Sequence, residues 1–222
     1  MADVGKLSAL KITTYKGCSM AYYLHYIAHE KVPIGLRLAF GGRVHHMLEY
    51  FYKQNYKSDE SFRNSWFYDW RCFNAGDFLK KKEKEKLEVR EVRYIGKNKE
   101  TGEKEEKILR IGNHVELFNL ENPVGLFFGF SKLGGNIMEA FYRRHKDKPR
   151  PVAFERSFGK KKEEPFYIGD HLYTGVFDRI DNLDGRWFIT DYKTDKGSPA
   201  KDSFTLHRNI QFSIYSCAFR KF

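Results

Sequence analysis

The sequence predicts an α/β fold in which a mixed central β-sheet is flanked by α-helices. Two observations carry that prediction. The stretch Tyr173 to Thr194, YTGVFDRIDNLDGRWFITDYKT, sets two runs of β-branched and aromatic residues around Asp184-Gly185. That dipeptide is the strongest short-range signal for a two-residue hairpin turn. Elsewhere, apolar residues recur at spacings of three and four in stretches that open at Ser19, Leu36 and Ser203, the mark of amphipathic helices. At 222 residues the chain suits a single domain spanning 1–222, with an insertion at about 80–112, and it can bury a sizeable core.

Ser19 is placed to cap a helix whose Met20, Tyr23, Leu24 and Ile27 form its apolar face. In LRLAFGGRVHHMLEYFYKQ, Val44, Leu48 and Phe51 make one helical stripe, with His45 and Glu49 a turn apart on its flank. A lone histidine there is more often a satisfied core residue than a ligand. Residues 57–80, containing WFYDWRCF, read as helical. LEVREVRYIG and EEKILRIG around the turn-like KNKETGEK predict a charged β-hairpin inserted at about 87–111. It reads either as a solvated insertion or as a DNA-gripping arm. From His114 to Lys146 the pattern is helical, broken near Asn122-Pro123 and Gly134-Gly135. Arg143, Arg144, Lys146, Lys148 and Arg150 beyond it suit a helix C-terminus or phosphate contacts equally. PVAFERSF reads as a strand. In the last helix Ile210, Ile214, Cys217 and Ala218 face the core, with Gln211 and Tyr215 a turn apart on the adjacent face.

The hairpin carries the chemistry. With Asp184-Gly185 as the loop, Leu183 faces Arg186, and the same pairing carried outwards sets Asp178 opposite Asp191. Directly opposed residues share a face of the sheet, with Cβ atoms about 4.5–5.5 Å apart, and Lys193 points to that face as well. Opposed carboxylates repel unless a divalent cation lies between them, and a neighbouring lysine adds a point charge suited to phosphate. A solvated, inert face is the plain alternative for either residue taken alone.

Asp178 followed by Asp191-Tyr192-Lys193, in the wider pattern GxxDRID…DYKT, resembles the PD-(D/E)xK nuclease superfamily and its RecB-type branch, which includes CRISPR-associated exonucleases. Further motifs follow in that family's order between Leu7 and Tyr215. TTYKGCSMAYYLHYI is similar to the opening segment, with Ser19 where relatives carry proline. Gly41, Val44, His45, Leu48 and Glu49 match the histidine motif, Glu155 matches a strand glutamate, and Gln211 with Tyr215 matches the Q-x-x-x-Y motif. The resemblance implies a restriction-endonuclease-like fold. It also implies Mg²⁺ or Mn²⁺ held by His45, Asp178, Asp191 and the Tyr192 carbonyl, with Lys193 catalytic. Glu155, Gln211 and Tyr215 would border the site, Glu155 ranking below the two aspartates. Several relatives hold an iron–sulfur cluster on four cysteines. Here only Cys18, Cys72 and Cys217 exist, so no iron–sulfur cluster is expected, and buried free thiols are the default. Relatives usually continue past the last helix, which leaves a fragment of a longer protein as one expectation.

Composition agrees on the partner class. Forty Lys+Arg against 29 Asp+Glu give a net charge of +11 and a pI near 9.4, which points to a polyanion, with nucleic acid ahead of an anionic membrane. No apolar run approaches membrane-spanning length and MADVGKLSAL lacks a signal-peptide core, so a cytoplasmic protein is expected. The expected function is metal-dependent hydrolysis of DNA phosphodiesters at single strands or duplex ends, by an exonuclease with a helicase or recombination protein as possible partner. The rival is a catalytically silent nucleic-acid-binding or assembly subunit of a helicase–nuclease complex.

Overall fold

Asp184 and Gly185 both take positive φ, 51° and 78°, as a two-residue primed hairpin turn demands. The Asn182 side chain accepts from the Gly185 N–H at 2.9 Å and holds the turn closed. The structure, a computed structural model, describes residues 5–30, 34–75, 88–98, 100–113, 115–116, 122–160, 164–194 and 209–221. Its elements begin with α1 (Ala9–Gly17), α2 (Ser19–Tyr22), a π-helical turn (Tyr23–Ile27), β1 (Ile34–Gly35), α3 (Leu36–Lys53) and α4 (Asp59–Ala75). Next come β2 (Val89–Lys97), β3 (Lys104–Gly112), β4 (Val115–Glu116), α5 (Pro123–His145) and β5 (Ala153–Phe158). The chain closes with β6 (Phe166–Ile168), β7 (His171–Tyr173), β8 (Gly175–Leu183), β9 (Arg186–Thr190) and α6 (Ile210–Phe219). These fall into two compact units, Met1–Lys31 with Arg150–Phe222, and Val32–Pro149.

In the first unit β5, β8 and β9 form an antiparallel sheet with β8 in the middle, and β6 pairs with β7. A mixed central sheet is therefore not what the described strands build. Two-residue turns join β6 to β7 and β8 to β9, and short turns give antiparallel pairs. Among the described residues parallel pairing is confined to β1 with β4, in the other unit, and to a bridge between Leu7 and Tyr173. Phe158, Phe166, Phe177, Ile180, Ile214, Tyr215 and Ala218 make the core of the first unit, and Ala9 and Ile12 of α1 pack against it.

The amino-terminal helix differs from its expected form. Ser8 caps α1 by accepting from the Lys11 N–H, and the Cys18 sulfur, not Ser19, caps α2. Met20, Tyr23, Leu24 and Ile27 are 62%, 53%, 42% and 57% exposed. The wider π turn breaks the 3.6-residue period that would have aligned them. The cysteines differ too, since Cys72 is buried but Cys18 and Cys217 are exposed.

In the second unit α3, α4 and α5 pack around fully buried Phe62, Trp66, Trp70 and Met138. Val44 and Leu48 of the expected stripe on α3 are buried. Asn122 caps α5 by accepting from the Gly125 N–H at 2.7 Å. The expected break at Gly134-Gly135 does not occur, and α5 runs through it. A Cβ on Gly134 would stand 2.1 Å from the Trp66 ring, so the glycine admits tryptophan rather than ending the helix. The charged segment forms an antiparallel β2–β3 hairpin paired from Val89↔Gly112 to Lys97↔Lys104. Residues 80–87 and 99 of the expected insertion lie outside the described residues. Among the described residues no helix is long and apolar enough to cross a membrane.

Candidate active site

The β8–β9 ladder runs from Leu183↔Arg186 to Arg179↔Thr190, the register that the turn dictates. One step further out Asp178 meets Asp191, and there the ladder stops. The Asp178 carboxylate takes over the role of a backbone acceptor, and its Oδ2 accepts from the Tyr192 N–H at 2.7 Å. On the other side of β8, Phe154 pairs with Arg179 and Arg156 with Phe177, which sets Glu155 against Asp178. That pair is skipped because Glu155 takes φ 43°, a conformation that side chains other than glycine seldom adopt. Glu155 and Asp178 bring carboxylate oxygens within 4.8 Å of each other. Glu155, Asp178 and Asp191 thus lie in a row from β5 through β8 to the residue just past β9, on the line where the β5–β8 ladder is interrupted and the β8–β9 ladder ends. Backbone strain of this kind gathers at functional sites.

At the Asp191 end the row has a built-in counter-charge. The Lys193 ammonium lies 2.5 Å from Asp191 Oδ2; the Asp191 side chain is 2% exposed and the lysine 52%. Gln211 locks the two together. Its Oε1 accepts from Lys193 Nζ at 3.1 Å, and its Nε2 donates to Asp191 Oδ1 at 2.8 Å and to the Tyr215 hydroxyl at 3.1 Å. The amide is oriented by its neighbours, since a flipped Gln211 would turn N–H groups toward the ammonium. Burial raises the Tyr215 phenol above its ordinary pKa, opposed by the Gln211 bond and reinforced by Asp191 and Asp178. Tyr215 therefore stays protonated near neutral pH.

Sequence reasoning missed two supports. Asn209, the N-cap of α6, accepts from the Gln211 and Phe212 N–H groups at 2.9 and 3.3 Å, and so fixes where Gln211 leaves the helix. An asparagine just before an apolar helix is a legible cap signal. Arg179 grips Asp181 through two 2.7 Å bonds in a buried pair two residues apart on β8. Burial raises the Tyr192 phenol above its ordinary pKa, and the nearby Arg179 guanidinium works against that rise. Asp181 thus holds the Arg179 guanidinium near the Tyr192 phenol, and the Tyr192 backbone N–H is the group that holds Asp178. His45 lies on α3 in the other unit and is half-buried. Its neighbour His46 stands 3.7 Å from Asp69.

A family model of the PD-(D/E)XK nuclease superfamily matches residues 6–222, and the chain belongs to that superfamily. Membership implies a nuclease that hydrolyses phosphodiester bonds, from a superfamily that uses divalent metals. No curated protein and no solved structure matches the chain.

The residues present fit such an ion. The donors are carboxylate oxygens, the hard ligands that Mg²⁺ and Mn²⁺ take. Asp191 Oδ2 is buried with no aligned hydrogen-bond donor among the described residues, although the ammonium is close. A buried, unsatisfied carboxylate oxygen is costly unless something else binds it.

Proposed function

We propose that the chain is a divalent-metal-dependent deoxyribonuclease of the RecB-like branch. On this reading it is a single nuclease domain with the β2–β3 hairpin as an insertion, acting as an exonuclease on single strands or duplex ends in repair, recombination, or phage or CRISPR DNA processing. The observation that carries it is the chain of contacts from Tyr215 through Gln211 to Asp191 and Lys193, beside the acid row. Surface ion pairs do not need such bracing; a lysine that must point at one place does.

Asp178, Asp191 and Glu155 would hold Mg²⁺ or Mn²⁺, with His45 and the Tyr192 carbonyl added by resemblance. Bound there, the ion supplies Lewis acidity toward the phosphate and a lowered pKa for its water. Lys193 orients the attacking water and offsets the charge that the phosphate gains in the transition state. Gln211 holds the ammonium at its place, and Tyr215 with Asn209 holds Gln211. The Tyr192 N–H fixes the rotamer of Asp178. On this reading the chain carries no iron–sulfur cluster, and its protein partner is a helicase or recombination protein.

End-labelled linear DNA and closed circular DNA, incubated with Mg²⁺, Mn²⁺ or EDTA, test this. Metal-dependent shortening of the linear substrate alone is expected, and none from Asp191→Asn. Equal cleavage of circles would replace the exonuclease by an endonuclease. An inert wild type with both metals would sink the enzyme altogether.

A further inference from the structure

The second unit holds an open cleft of about 860 Å³ between α3 and α4. One wall carries Arg43, His46 and Tyr50, spaced three and four residues apart on α3, so they share one face. Tyr68 and Asp69 come from α4, and Tyr56 from the connection between the helices. The volume falls within the range of small-molecule sites, and the composition matches them too, with aromatic walls and a few convergent polar groups.

We infer that this cleft takes an unstacked base of a DNA strand, held between tyrosine rings. The inference rests on the reading that DNA is the bound polymer, and it adds a base-binding site to that reading. The floor argues for a base over a phosphate. Arg43 Nε donates to Asp69 Oδ2 at 2.8 Å and Arg43 Nη2 to Asp69 Oδ1, so the guanidinium charge is neutralised where it stands. What remains is an uncharged pair whose carboxylate can accept from an exocyclic amine. His46 stands 3.7 Å from Asp69 and brings its ring nitrogens to the same floor. His46 stacks on Tyr50 with centroids 5.7 Å apart, which extends the flat wall. Flat π surfaces above a neutral hydrogen-bonding floor suit a heteroaromatic ring, and the +11 charge of the chain brings the polyanion that carries such rings.

The test uses the full chain in EDTA with a single-stranded oligonucleotide carrying 5-iodouracil, a base that crosslinks to aromatic side chains it stacks on. Irradiation and peptide mapping are expected to place the crosslink on Tyr50, Tyr56, Tyr68 or His46. A Tyr50→Ala/Tyr68→Ala variant removes two partly exposed rings (39% and 61%), so its fold is not at stake. It should lose the crosslink and bind the strand about tenfold more weakly, within the span of one lost stacking contact. An oligonucleotide of the same length made abasic should bind wild type and variant alike. Crosslinks mapped only outside the cleft, no crosslink, or unchanged affinity of the variant would each overturn the inference. Cleavage by wild type with metal is scored separately, so failure of the nuclease reading shows in that arm and misplacement of the base in this one.

Discussion

On the proposed reading Lys193 serves stability and turnover at once, and the two can be separated. Lys193→Ala leaves the Asp191 carboxylate, 2% exposed, without the ammonium 2.5 Å away. Half-exposure of the lysine discounts the loss to about 1 kcal/mol in EDTA. A bound divalent ion replaces that charge, so the metal-induced rise in Tm should exceed that of wild type, while cleavage collapses. Melting curves with and without Mn²⁺, read beside a cleavage assay, check both; an unchanged metal shift together with intact turnover would remove Lys193 from the site. Asp191→Asn should behave differently, with cleavage and most of the metal shift lost. From the sequence alone, two opposed carboxylates suggest that Asn relieves repulsion and stabilises the apo protein. The structure reverses the sign, because Asn forfeits the ion pair with Lys193, and a fall of about 1 kcal/mol in EDTA is expected. The register of β8 against β9 was legible because a two-residue turn fixes it. The bracing by Gln211 was not, since it joins residues 18 apart across a tertiary contact. Nor was the left-handed backbone at Glu155, which no local signal marks.

Among the elements, α5 shows how a local signal loses to packing. Gly134-Gly135 reads as a helix break, yet α5 continues, because Trp66 fills the place of the missing Cβ. The Trp66 indole also donates to the Ser131 carbonyl at 2.8 Å, which pins the ring over the glycine. Gly134→Ala gains roughly 1 kcal/mol of helix propensity but drives a methyl to 2.1 Å from a fully buried ring. Overpacking costs about 1–3 kcal/mol, so a net loss of stability is expected in urea unfolding. Gly135→Ala meets the Phe67 ring at 2.8 Å, a half-buried side chain with more room to shift, and should cost less. A Gly134→Ala protein as stable as wild type would mean that Trp66 does not occupy this notch. The amino-terminal stripe failed for the opposite reason: periodicity suggested a buried face, and a π turn removed the period. Long periodic stretches such as α3 were readable, whereas the places where a helix changes its pitch or borrows space from a neighbour were not.

At the scale of the whole molecule the +11 charge predicts how binding responds to salt. Each phosphate neutralised by Lys or Arg releases condensed counterions, so log affinity falls linearly with log salt at a slope of about −0.7 per contact on a single strand. Anisotropy of a labelled oligonucleotide in EDTA, at 50, 100 and 200 mM KCl, should show a steep line equivalent to several phosphate contacts. Base stacking in the α3–α4 cleft involves no counterion and belongs to the intercept. The Tyr50→Ala/Tyr68→Ala line should therefore run parallel to wild type and about tenfold below it. Neutralising basic residues should instead flatten the slope. Little sequence preference is expected, because phosphate contacts carry no sequence information. A flat wild-type line would mean that the excess charge serves some partner other than a polyanion. A tyrosine variant that changes slope rather than intercept would place those rings on the path of the backbone instead of the base.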